Sequence, residues 1–155
     1  MQNRIDAARV VPELMAAMGN LEARVRESGL EASLWHLVKV RASQINGCAY
    51  CLHMHTREAR RDGESEERLY ILSAWRDSPL YSPRERRALA WTEAVTRIAD
   101  SGAPDADYEA LTAHFSEKEI AALTFLITTI NAWNRLAISF RNIHPVQKKP
   151  DQESA

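Results

Sequence analysis

Lys39-Val-Arg-Ala-Ser-Gln-Ile-Asn-Gly-Cys-Ala-Tyr-Cys-Leu-His-Met-His-Thr-Arg-Glu-Ala-Arg60 is the stretch around which the chain is organised. It holds both cysteines of the protein, Cys48 and Cys51, and His55 follows four residues after the second. Residues before Gly47 keep helical spacing, Gly47 permits a tight change of direction, and a new helix starts near Cys48. On that helix, positions i, i+3 and i+7 share one face, so Cys48, Cys51 and His55 point the same way. Two thiols able to close a disulfide, with an imidazole beside them, make a redox site or a metal site.

Outward from this stretch the pattern stays helical. No alternating apolar and polar run bounded by hairpin turns occurs, and Gly29, Gly63 and Gly102 fall where left-handed helix ends are wanted. A first long helix is expected from Pro12 to Ser28, with Leu14, Met18, Leu21 and Val25 as its apolar stripe. A second runs from Glu31 to Asn46, with Leu34, Leu37, Val38, Ala42 and Ile45 inside. The third, from Cys48, reaches Arg61, and a fourth spans Ser65 to Trp75. Ser82-Pro83-Arg84-Glu85 is a capping box that opens a helix to Ala99. A short helix follows at Asp105–His114. Ser116-Glu117-Lys118-Glu119 is a second capping box, opening a last helix to Arg141. The charged run Arg57–Arg68 reads as a solvated helix end and turn.

The last helix is apolar around most of its circumference. Ile120, Leu123, Phe125, Leu126, Ile127, Ile130, Trp133, Leu136 and Ile138 leave only Thr124, Thr128, Asn131 and Arg135 as a polar stripe. A helix of that kind must be covered on most sides. It is expected to be a central core helix, part of which packs on another subunit. The chain therefore reads as one all-α domain over residues 1–155, with a frayed polar tail from about Pro145.

Bulk composition narrows the function. A chain of 155 residues with 45% apolar content suits a single domain with a real core. A net charge of -1 gives no basic surplus for nucleic acid or an anionic membrane. No run approaches the roughly 20 apolar residues of a membrane span. The N-terminus lacks the pattern of a signal peptide, so a cytoplasmic location is expected. In a reducing compartment a lone Cys-x-x-Cys is catalytic or metal-binding more often than it is a structural staple.

The thiolate is the reactive form of cysteine. Free N–H groups and the dipole at a helix start stabilise it, which favours Cys48. An imidazole one turn away can take the proton, which favours Cys51. Physics alone leaves that choice open. A zinc site from Cys48, Cys51, His55 and His36 is the competing reading, though three ligands on one continuous helix strain a tetrahedron. Two inert buried cysteines are the plainest alternative. His53 lies on another face and reads as structural or exposed.

The extended motif closely resembles the signature of the AhpD-like branch of the carboxymuconolactone decarboxylase family. Asn131-Ala-Trp-Asn-Arg-Leu-Ala-Ile138 is similar to the matching segment of the same branch. The resemblance spans roughly Leu14 to Pro145. It implies an all-α helical bundle that assembles into homo-oligomers, trimers or hexamers. It also implies a thiol-dependent peroxidase that reduces hydroperoxides, is recharged by a dithiol reductant, and needs no metal or other cofactor. By motif position Cys51 matches the peroxidatic cysteine, Cys48 the resolving one and His55 the proton relay. The family's decarboxylase branch generally lacks the cysteine pair.

One position departs from the pattern. Members with this activity usually carry a glutamate twelve residues before the first cysteine, and here that residue is His36. A histidine passes protons but supplies no fixed negative charge to hold His55. His36 is therefore a relay residue of altered chemistry, or a helix residue without function. Weakened peroxidase activity is expected. A redox-sensing protein whose disulfide alters assembly is the second functional expectation.

Overall fold

A computed structural model describes residues 2–145. The elements are α1 (Ala7–Val10), α2 (Pro12–Arg26), α3 (Ala32–Asn46), α4 (Ala49–Arg61), α5 (Glu66–Tyr70), a 3-10 segment (Leu72–Asp77), α6 (Pro83–Thr96), α7 (Ile98–Ser101), α8 (Asp105–Thr112) and α9 (Glu117–Phe140). The protein is an all-α single domain, and among the described residues no strand occurs. The expected tail lies, beyond Pro145, outside the described residues.

Both capping boxes form. Ser82 accepts from the Glu85 N–H while Glu85 reaches back to the Ser82 N–H, and Ser116 and Glu119 do the same for α9. Pro12 and Pro83 take the first helical turn, where no N–H is needed.

The fourth expected helix breaks. After Tyr70 the chain tightens into the 3-10 segment, with Ala74 outside helical geometry. Arg86 of α6 donates to the carbonyls of Trp75, Arg76 and Ser78 and so holds the far end of the 3-10 segment against α6. The helix opened at Ser82 likewise stops at Thr96, three residues short of expectation, and restarts as one turn ending at left-handed Gly102.

The centre of the domain is α3. Leu34 through Val40 are buried without interruption. Leu34, Trp35 and Val38 join Trp91 of α6 and Leu123, Leu126 and Ile127 of α9 in one core. Leu37 and Val40 pack on another side with Ala59, Leu69, Leu72 and Leu89. Truncating one such fully buried leucine costs about 2–5 kcal/mol. The last helix covers this core but is not its axis: Phe125 is 57% exposed and Ile138 47%.

Of the apolar stripe expected on α2, Met18 and Val25 face inward, joined by Met15 and Glu22, whereas Leu14 is 60% exposed and Leu21 37%. The rotation has a polar cause. Glu22 is drawn inward by Lys39 of α3 and by Trp133 of α9.

Candidate active site

Gly47 takes a left-handed conformation (φ 68°) that ends α3 and turns the chain at once into α4. Cys48 becomes the N-cap of α4, its sulfur accepting the Cys51 N–H at 3.4 Å. The two sulfurs, one turn apart, lie 2.7 Å from each other and both cysteines are buried. They pack on Ala137 of α9.

A polar network holds this corner. Asn46 Nδ2 donates to Asn131 Oδ1 at 2.9 Å and to Asn134 Oδ1 at 2.8 Å. Asn134 Nδ2 donates to Ser43 Oγ at 3.1 Å, and Asn131 Nδ2 to Thr96 Oγ1 at 3.0 Å. The Ser43 carbonyl accepts the Cys48 N–H at 3.0 Å. Asn131, on the polar stripe of the last helix, is buried and has partners there. Buried amides keep their place only when satisfied, so this net fixes the end of α3, from which Cys48 leads into α4, against α9.

Cys51 opens onto a cavity of about 390 Å³; Cys48 lies behind it. Trp35, Trp133, Met15 and Met54 supply apolar wall, and Glu22, Lys39, His55 and Glu58 supply charge or protons.

His55 is buried and its Nδ1 lies 2.8 Å from Glu58 Oε2. That hydrogen bond, helped by the charges of His55, Lys39 and His36, holds the Glu58 carboxyl below its ordinary range. An ionised carboxylate only accepts, so Nδ1 carries the proton. Burial, with the nearby Lys39 charge, pushes His55 below its usual value despite Glu58. Its neutral form then leaves the Nε2 lone pair free as a base.

The two thiols titrate as a pair. The Cys51 S–H, followed by the Cys51 and Tyr50 backbone N–H groups and Asn134, brings Cys48 down to about 7 against the cost of burial. The adjacent Cys48 anion and burial hold Cys51 up, while Asn134 and Lys39 act in the opposite direction. The first negative charge therefore rests mainly on Cys48, whereas the sulfur with access to the cavity is Cys51.

The sequence model of the carboxymuconolactone decarboxylase family matches residues 12–94. The chain belongs to the carboxymuconolactone decarboxylase family. Its relatives place it in the AhpD-like branch. The uncharacterized protein YdfG of Bacillus subtilis (strain 168) is 38% identical over 142 residues, 92% of this chain and 97% of that protein. A crystal structure of a protein of unknown function from Agrobacterium tumefaciens, a candidate AhpD antioxidant defence protein, superposes with a TM-score of 0.92 at 50% identity. It covers 94% of this chain and 100% of that chain. An uncharacterized peroxidase-related protein from Silicibacter sp. TM1040 gives a TM-score of 0.74 at 26% identity, covering 83% and 69% of the two chains.

Against this AhpD-like background the placement of His36 stands out. It is buried on α3, with Nε2 2.9 Å from Asp62 Oδ2 at the far end of α4. It lines a separate cavity of about 260 Å³ with Asp62, Glu64, Arg68 and Glu85. The structure therefore brings Cys48, Cys51 and His55 together and sets His36 apart from the cysteine cavity. Among the described residues no group of three or more His, Cys, Asp and Glu side chains is arranged to hold a metal ion. His53 stacks on His144, ring centroids 4.6 Å apart, away from the sulfurs. Three residues of the AhpD-like cavity escape a reading of the motif: Glu58, Lys39 and Glu22. Glu58 was detectable, since it stands one turn beyond His55. Composition hides it inside the run Arg57–Arg68, of which Glu58, Asp62 and Glu64 turn out to be engaged in ion pairs.

Proposed function

We propose that the protein is a thiol-dependent peroxidase that reduces hydroperoxides through Cys51 and Cys48. The observation that carries this reading is the pairing of two sulfurs 2.7 Å apart, of which Cys51 faces a half-apolar cavity beside a histidine held by a carboxylate. Membership of the AhpD-like branch supports it.

The steps balance as follows. His55 Nε2 takes the Cys51 proton. The thiolate attacks the terminal oxygen of ROOH, the O–O bond breaks, and the departing alkoxide leaves as ROH with the proton returned by His55. Cys51 is now a sulfenic acid. The Cys48 thiolate attacks that sulfur, hydroxide leaves as water by taking up the proton that Cys48 had released to solvent on ionising, and the disulfide closes. An external dithiol restores both thiols by exchange, supplying two electrons. Glu58 holds the His55 tautomer that makes this possible, in the place where a motif glutamate is replaced by His36.

The same reading places the protein in the reducing cytoplasm. No helix of the described residues is long and apolar enough to cross a membrane. It also implies assembly into a trimer or hexamer. Leu14, Ala17 and Leu21 recur at helical spacing on the outer face of α2, all exposed, and a second copy of the chain would cover them.

Consumption of an organic hydroperoxide with excess dithiol tests the activity. Wild type should oxidise one dithiol per hydroperoxide, and Cys51→Ser should be slower by about 100-fold or more. Equal, slow consumption by the two proteins ends the peroxidase reading.

A further inference from the structure

Lys39 is buried in the wall of the cysteine cavity, its side chain only 5% exposed, and no part of the peroxidase chemistry above uses it. Its ammonium is ion-paired with Glu22 of α2 and sits 4.8 Å from the centroid of the Trp35 ring. Glu22 also accepts the Trp133 N–H at 3.1 Å, so one carboxylate joins α2, α3 and α9 at the cavity. Removing such a pair from water is costly, and apolar side chains of equal volume would be as stabilising or more so. Fold stability alone therefore gives no reason for a lysine here.

The charges around Cys51 can be counted by element. Glu22 and Arg26 face the cavity from α2, Lys39 from α3, and His55 and Glu58 from α4, with Cys48 behind; α9 contributes the uncharged Trp133 and Ala137, and Asn134 beside the sulfurs. Glu58 is committed to His55, and Arg26 is exposed at the rim. Lys39 is the buried cation of this set. The donors at the start of α4 draw the shared negative charge of the thiol pair toward Cys48, away from the cavity. A buried cation on the cavity side draws it back.

We propose that Lys39 is the positioning residue that draws part of the negative charge of the cysteine pair toward Cys51, and that Glu22 sets how strongly it does so. This rests on Cys51 being the attacking sulfur. Lys39 acts through that sulfur and has no need to touch the peroxide. The pair thus works as an electrostatic adjustment with two opposite settings, more positive without Glu22 and more negative without Lys39.

The test uses the full chain with Cys48→Ser, which leaves Cys51 as the one thiol. Its deprotonation is followed by ultraviolet thiolate absorbance against pH, and its reactivity by the rate of alkylation with iodoacetamide. Adding Lys39→Met should raise the midpoint by about one unit and slow alkylation below it about tenfold. Adding Glu22→Gln, which keeps an acceptor for Trp133, should lower the midpoint by about half a unit and speed alkylation about threefold. Lys39→Arg should restore the parent midpoint. Shifts in the same direction for Lys39→Met and Glu22→Gln, or no shift in either, overturn the assignment. Should Lys39→Met fail to fold, Glu22→Gln decides alone: an unchanged or raised midpoint overturns it. None of these readouts uses peroxide. Loss of the peroxidase reading and loss of the Lys39 assignment are therefore separate results.

Discussion

The interface between α3 and α4 has two polar ends that use similar residues to opposite effect. At the start of α4, Cys48, Cys51, His55 and Glu58 meet Lys39 around a cavity. At its end, His36 meets Asp62, and Arg68 nearby bonds Glu85 at 2.6 Å and Glu64 at 3.0 Å. In the second cluster each carboxylate has a donor beside it, and the hydrogen bond from His36 is the main cause that holds Asp62 below its ordinary range. In the first, two thiols share one charge and a buried histidine is kept neutral. A histidine beside a carboxylate occurs at both ends, so the pairing alone does not make a site. A nucleophile on the same turn and a space for substrate do.

The largest test of that contrast sets Cys51→Ser against His36→Gln in peroxide consumption. The first should cost about 100-fold or more, the second no more than about threefold. Equal losses would merge the two ends into one relay. Next in size are the carboxylates. Glu58→Gln should lower the rate about tenfold or more by loosening the His55 tautomer, whereas Asp62→Asn should lower the denaturant midpoint and leave the rate unchanged. A rate loss in Asp62→Asn with Glu58→Gln intact would reverse the assignment.

Asn134→Ala removes a fully buried amide bonded to Ser43 and Asn46, and should cost about 1–3 kcal/mol in urea unfolding. An unaffected midpoint would mean that the net does not hold the cysteine corner. The smallest effect is in pH. Because burial lowers His55, the unfolded chain gains a proton that the folded chain refuses as pH falls below about 6.5. That contribution is flat above this pH and lowers stability on the way down toward the folded value of His55. Glu58, lowered in the fold, adds a loss below its ordinary value of 4.5. Urea midpoints at pH 7, 6 and 5 should fall, and His55→Gln should flatten the first part of the slope. The same slope in wild type and His55→Gln would refute a neutral buried His55.

What the sequence shows of this site follows the range of each interaction. The cysteine pair and His55 are legible because helix spacing alone puts them on one face. So are the capping boxes at Ser82 and Ser116, which close within four residues. The 3-10 segment after Tyr70 is not legible, and the contact that holds its far end comes from Arg86 of another helix. Glu22 is hidden for the same reason: apolar spacing on α2 selects Leu14 and Leu21, but Lys39, 17 residues on, turns Glu22 inward. His36 is legible as a departure from a motif. Its pairing with Asp62, 26 residues away, required the fold.

The cavity has walls of unequal firmness. Three sides come from α3, α4 and α9, which carry the core, while the fourth is α2, of whose residues only Val25 is fully buried. Opening of a folded protein starts where few buried contacts resist it. Amide protons of α2 should therefore exchange with solvent long before those of α3, which await global unfolding. In a free copy of the chain, fraying of that one helix would open a way to Cys51, and the second copy proposed to cover Leu14 and Leu21 would hold it shut.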